Sequence, residues 1–162
     1  DYQSAEGLDL ETPIPLSGVI EEILAVRLGV TETQFSIEFD ERSAMPMPLI
    51  RRGPELMHAL EDLLRNANDF AAEVVTVLIR SSVDDVIITI RDDGPGFPAG
   101  VLARVGAPWN SSRGTEGGHR GLGIFIASTL IESLGGSILY GNRRAGGGEV
   151  TVNLPRQTLV NM

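Results

Sequence analysis

Three short segments in fixed order constrain this chain more than anything else in it. They are Asn66 within Asp62-Leu63-Leu64-Arg65-Asn66-Ala67, then Asp92-Asp93-Gly94-Pro95-Gly96-Phe97, then Gly118-His119-Arg120-Gly121-Leu122-Gly123. The apolar periodicity around them predicts the first inside a helix, the second at the end of a strand and the third at the start of another helix. Together the three can hold a nucleotide from its metal, base and phosphate ends.

Leu56, Leu60, Leu63, Leu64, Ala67 and Ala71 recur at the spacing of one buried helical stripe. The opposite face then carries Asp62, Asn66 and Asp69, four and three residues apart, so that their side chains stack in one row. Such a row can present oxygen ligands to Mg²⁺, and an uncharged Asn suits an ion whose other ligands are phosphate oxygens. It can equally be a solvated face, and the helix alone does not distinguish the two.

Two strand-like runs, Val74 to Arg80 and Val86 to Arg91, flank a Ser-Ser-Val-Asp-Asp turn. Asp92 therefore sits where a strand ends. A carboxylate there can accept a hydrogen bond from the exocyclic amino group of adenine, while Gly94 and Gly96 let the backbone approach a flat base. An ordinary Asp-Gly turn would read the same way in isolation. Gly121-Leu122-Gly123 opens a third apolar helix, Ile124 to Leu134, which Gly135-Gly136 closes. Its free N–H groups and the positive end of its dipole suit a polyphosphate, although the glycines would also permit tight helix packing.

The combination resembles the N box, G1 box and G2 box of the GHKL ATPases (gyrase, Hsp90, histidine kinase, MutL). Within them it resembles the catalytic ATP-binding domain of two-component sensor histidine kinases, most closely the RegB/PrrB group. The residues that carry this are Arg65-Asn66-Ala67-Asn68-Asp69-Phe70-Ala71, Asp92 to Phe97, Val101-Leu102-Ala103-Arg104 and Gly121-Leu122-Gly123-Ile124-Phe125-Ile126-Ala127. The resemblance implies a two-layer α/β sandwich of the GHKL/Bergerat type, a mixed sheet covered by helices on one face, with a mobile ATP lid between Ala103 and Gly121. It implies Asn66 as the catalytic Mg²⁺ ligand with Asp62 beside it, Asp92, Gly94 and Gly96 at the adenine, and Phe70 flanking the base. It places Gly121, Leu122 and Gly123 at the phosphates. Two departures stand out: Asp62 occupies the position where the N box begins with Asn, and His119 the position of a glycine.

All 13 basic residues are Arg, and the chain has no Lys. That excludes a P-loop, a protein kinase with a strand lysine, and Schiff-base chemistry. Arg113 and Arg120 are the cations best placed in sequence to meet the β- and γ-phosphates, if they are more than solvated loop charges. Zero Cys excludes disulfides and thiolate metal sites, and the net charge of −9 argues against nucleic acid as a partner. With neither a signal peptide nor a long apolar run, this segment is expected to make no membrane contact and to work in the cytoplasm.

Residues 1–14 read as a lead-in strand or linker, 15–156 as the catalytic domain and 157–162 as a tail. Leu16 to Leu28 predicts an amphipathic helix, Phe35 to Phe39 a strand, and Ser137 to Tyr140 with Glu149 to Leu154 a hairpin. Neither His58 nor His119 is followed by the acidic residue expected of a phosphoacceptor. The expected function is thus that of a kinase catalytic domain that binds ATP·Mg²⁺. It would deliver the γ-phosphate to a histidine on a dimerisation domain of the same protein, encoded upstream of Asp1, for relay to a response regulator. The alternatives are a catalytically degenerate GHKL binding module and a GHKL Ser kinase of the anti-sigma-factor kind.

Overall fold

A computed structural model describes residues 12–105 and 119–161, with the backbone alone described for residues 104–105 and 119–123. The chain enters through β1 (Ile14–Pro15) and α1 (Leu16–Glu22), which runs directly into a π-helical stretch, Ile23–Leu28. There follow β2 (Gln34–Phe39), β3 (Leu49–Ile50), α2 (Pro54–Phe70), β4 (Val74–Ser81) and β5 (Asp85–Asp92). Then come α3 (Ala99–Val105), α4 (His119–Ser133), β6 (Ser137–Asn142), β7 (Gly148–Pro155) and α5 (Arg156–Val160).

Five strands form one mixed sheet in the order β2-β4-β5-β7-β6, with β2 parallel to β4 and the other pairs antiparallel. Strand alternation decides which face is dry. Val75, Val77 and Ile79 of β4, Val86, Ile88 and Ile90 of β5, and Val150, Val152 and Leu154 of β7 are all buried. Register aligns them into rows, Val77 beside Ile90 and Ile90 beside Val150. Intervening residues such as Thr76, Arg91 and Glu149 point to the other face, where Arg91 pairs with its register partner Glu149 at 2.6 Å.

The helical layer answers the dry face with the stripe Leu56, Leu60, Leu63, Leu64 and Ala67 of α2, joined by Leu16, Val19 and Ile20 of α1 and by Ile124, Ala127 and Ile131 of α4. Each Leu, Ile and Val among them contributes about 1.5–3 kcal/mol on leaving water. The α2 helix packs along α4 and against β5. The two-layer α/β architecture with one mixed sheet is therefore the expected one.

Three details differ from the sequence reading. The helix predicted over Leu16 to Leu28 changes to π geometry at Ile23 and is closed by the Gly29 amide, which donates back to the Leu24 carbonyl at 3.1 Å with Gly29 at φ 73°. β1 pairs antiparallel with β3, directly after the Met-Pro-Met-Pro stretch. Where a tail was expected over 157–162, α5 buries Leu159, and the guanidinium of Arg156, its first residue, donates to the Ser81 hydroxyl and the Ser82 carbonyl.

Candidate functional site

α2 begins as its sequence dictates, with extended Gly53 as N-cap, Pro54 in the first turn and Glu55 near the positive end of the dipole. With its apolar stripe turned to the core, Asp62 and Asn66 lie on the border, each partly buried, and Asp69 is exposed. The Asn66 carboxamide makes no hydrogen bond among the described residues. One turn earlier, Asp62 Oδ2 is buried with no hydrogen-bond partner among the described residues, although His58 Nε2 is 3.3 Å away. Burial pushes the Asp62 carboxyl above its usual range, against the pull of His58. The neighbouring Glu61 differs: Arg27 at 2.9 Å and Arg65 at 2.8 Å hold it on the α1 side.

A neutral carboxamide oxygen beside an orphaned carboxylate oxygen is a donor set that fits a small hard cation sharing its shell with phosphate. Among the described residues no group of three or more His, Cys, Asp or Glu side chains forms a metal site unaided.

Asp92 ends β5 opposite Val75 of β4 and is 6% exposed. Its Oδ1 accepts the Gly94 amide at 2.9 Å and the Gly148 amide at 3.2 Å. These two bonds fix the carboxylate, and among the described residues Oδ2 is left without a hydrogen bond. The following turn is pressed between two elements. A Cβ on Gly94 would lie 1.8 Å from the Phe70 carbonyl oxygen at the end of α2, and one on Gly96, at φ 88°, would lie 2.8 Å from Asn142 Oδ1 at the end of β6. Both glycines thus answer to close approach, and Gly96 to left-handed backbone as well. The fold brings the end of the Asn66 helix, with Phe70, against the Asp92 turn.

Asp93, outside the carboxylate set chosen from sequence, anchors that junction. Its carboxylate accepts three successive amides, Ala72 at 2.8 Å, Glu73 at 3.0 Å and Val74 at 3.2 Å. Those bonds, the Glu73 amide foremost, hold its carboxyl below the usual range. Asn142 and the Gly148 amide were also missed. Only their place beside a Gly-rich turn hinted at them, because their partners are 45 and 56 residues away in sequence.

The Gly121-Leu122-Gly123 segment lies within α4, which begins two residues earlier, at His119. Amides of its first turn, including that of Gly121, have no acceptor within the helix. The backbone of Arg120 and Leu122 belongs to the same turns, while Arg113 and most of the expected lid lie outside the described residues. At the other end the Gly135 and Gly136 amides cap the Glu132 and Ile131 carbonyls at 3.0 Å, with Gly135 at φ 81°, as the sequence predicted.

This architecture is that of histidine kinase catalytic domains. The catalytic domain of histidine kinase ThkA superposes with a TM-score of 0.68 at 19% identity, over 90% of this chain and 96% of that one. Full-length ShkA in complex with AMPPNP gives 0.66 at 23% identity, over 91% of this chain and 32% of that one. Residues 52–158 match the family described as Histidine kinase-, DNA gyrase B-, and HSP90-like ATPase, and the chain belongs to that family. Its relatives include the sensor histidine kinase RegB of Cereibacter sphaeroides, 32% identical over 137 residues, covering 79% of this chain and 30% of RegB. The C4-dicarboxylate transport sensor protein DctB of Pseudomonas aeruginosa is 32% identical over 139 residues, covering 76% of this chain and 22% of DctB. The chain thus spans less than a third of the length of these curated relatives. No helix among the described residues is long and apolar enough to cross a membrane.

Proposed function

We propose that the chain binds ATP·Mg²⁺ and presents the γ-phosphate to a histidine on a separate dimerisation and phosphoacceptor domain of the same protein, on the cytoplasmic side, for relay to a response regulator. The observation that carries this reading is Asp92, a buried carboxylate with one oxygen held by two amides and the other left to accept the adenine amino group. Gly94 and Gly96 line the base, and Phe70 flanks it. Asn66 offers its carboxamide oxygen to Mg²⁺ with Asp62 one turn away. When bound, the metal neutralises charge on the β- and γ-phosphates. Gly121, Leu122 and Gly123 meet the phosphates at the start of α4, and Arg113 and Arg120 serve as their cations. Family membership and the AMPPNP held by the related ShkA, an ATP analogue, support the nucleotide.

Chemistry at such a site is chiefly positioning and charge neutralisation. One observation favours a second reading, a GHKL Ser kinase. Asp62, unlike the Arg-paired Glu61, keeps an oxygen without a hydrogen-bond partner among the described residues, 3.3 Å from His58 Nε2 and one turn from Asn66, where a base would be needed.

The test is incubation of the chain with labelled ATP and Mg²⁺, alone and with a separately expressed histidine-bearing helical hairpin of the full-length protein. The expected result is acid-labile, base-stable label on the hairpin only, appearing slowly because the two parts are untethered. Acid-stable label on a hydroxyl acceptor would favour the Ser kinase, and absence of ATP binding would overturn both readings.

A further inference from the structure

β6 touches both ends of the proposed nucleotide site. At its C-terminal end the Asn142 side chain acts as a strand partner for the Asp92 turn: the Phe97 amide donates to Asn142 Oδ1 at 2.7 Å, and Asn142 Nδ2 donates to the Phe97 carbonyl at 3.0 Å. Two residues earlier, and so on the same face of the strand, the Tyr140 ring stands edge-on to the Phe97 ring, with centroids 6.0 Å apart and planes at 88°. The hydroxyl of Tyr140 then reaches the helical layer. It donates to the Ile124 carbonyl at 3.1 Å and lies 2.8 Å from Ser128 Oγ, both on α4. Ile124 directly follows Gly121-Leu122-Gly123. Tyr140 is thus a bolt between the turn after Asp92 and the first turns of α4, and burial raises its phenol pKa, so that the hydroxyl keeps its proton for that bond.

We propose that Tyr140 and Asn142 are positioning residues that set the span between the adenine-reading turn and the phosphate-holding start of α4. Asn142 fixes the base end, and the Tyr140 hydroxyl registers the phosphate end against it. The proposal rests on the ATP reading above and deepens it. It separates two effects that a general loss of packing would not. Tyr140→Phe keeps the ring against Phe97 and removes only the link to α4, whose Ile124 carbonyl can still serve as a helical acceptor. Asn142→Asp keeps an acceptor for the Phe97 amide but loses the donor to its carbonyl.

Calorimetric affinities of ATP with Mg²⁺ and of adenosine, measured for wild type and both variants, test it. Denaturant midpoints confirm that each variant is folded. Tyr140→Phe is expected to weaken ATP roughly 3- to 10-fold, the scale of one net hydrogen bond, and to leave adenosine within about twofold. Asn142→Asp is expected to weaken both ligands by a similar factor. Unchanged ATP affinity in a folded Tyr140→Phe variant, or equal losses of ATP and adenosine, would overturn the proposal while wild-type binding leaves the ATP reading standing. A wild-type chain that binds neither ligand would overturn that reading and this proposal with it.

Discussion

At the scale of single residues, the proposed site rests on side chains whose polar atoms are short of partners among the described residues. Asp92 is held through one oxygen, and the other accepts no hydrogen bond among the described residues. Asp92→Ala should therefore weaken ATP and ADP by about 1.5–3 kcal/mol, the range for a hydrogen bond to a charged group, and erase the preference for adenine over guanine. Competition between ATP and GTP reads this directly; a variant that prefers ATP as strongly as wild type would mean that adenine is read elsewhere. Asn66 is the complementary case. Its neutral side chain stands on the border of the α2 stripe, so Asn66→Ala should leave the core intact and abolish the Mg²⁺-dependent part of ATP affinity. Calorimetry with and without Mg²⁺ checks it, and Mg²⁺ dependence unchanged in a folded variant would remove the assignment.

At the scale of elements, the decisive joint is where α2, β4 and the turn after β5 meet. Asp93 ties it by accepting three consecutive amides at the entry to β4. Those bonds hold its folded-state pKa below the ordinary 3.8. A carboxyl depressed by folding contributes stability that is complete above its unfolded pKa and is lost as pH falls through the folded one. Asp93→Asn should accordingly cost stability at neutral pH, and its deficit should shrink as pH falls below the ordinary 3.8 and through the depressed folded-state pKa. Urea midpoints across that range measure it, and a deficit independent of pH would show that the amides do not depend on the charge. The same joint explains why element limits exceeded the sequence reading here. β5 was expected to stop at Arg91 and runs on to Asp92, because the ladder continues to the Val75 pairing.

At the scale of the whole molecule, the proposed site draws on α2, β5, β6, β7 and α4 at once, and this reading therefore links ligand binding to folding. ATP·Mg²⁺ at about 100 times its dissociation constant should raise the unfolding free energy by about 2.7 kcal/mol. At the same ATP concentration without Mg²⁺ the gain should be smaller, and with Asp92→Ala smaller again. Thermal or urea unfolding monitored by circular dichroism would detect this. Equal stabilisation in all three cases would mean that nucleotide binds outside this constellation.

Local chemistry made much of this molecule legible before any coordinates. β-Branched apolar runs bounded by a turn cluster mark β4 and β5, period-two alternation marks β7, the stripe from Leu56 to Ala67 marks α2, and Gly135-Gly136 marks the end of α4, because each signal lies within a few residues of the structure it specifies. The three motifs, and through them the family, belong to the same class of information. What sequence could not supply was pairing at a distance. Nothing local says that Asp93 will cap the amides of Ala72 to Val74, that Asn142 will act as a strand for Phe97, or that Tyr140 will bridge to Ile124. Nor could it separate Glu61 from Asp62. Both are acidic residues on α2, and only the packing of the π-helical stretch against that helix brings Arg27 to one, while the other's oxygen is buried without a hydrogen-bond partner among the described residues. Hydrogen bonds and desolvation are set by which groups end up adjacent, and adjacency across tens of residues is decided only when the two layers close.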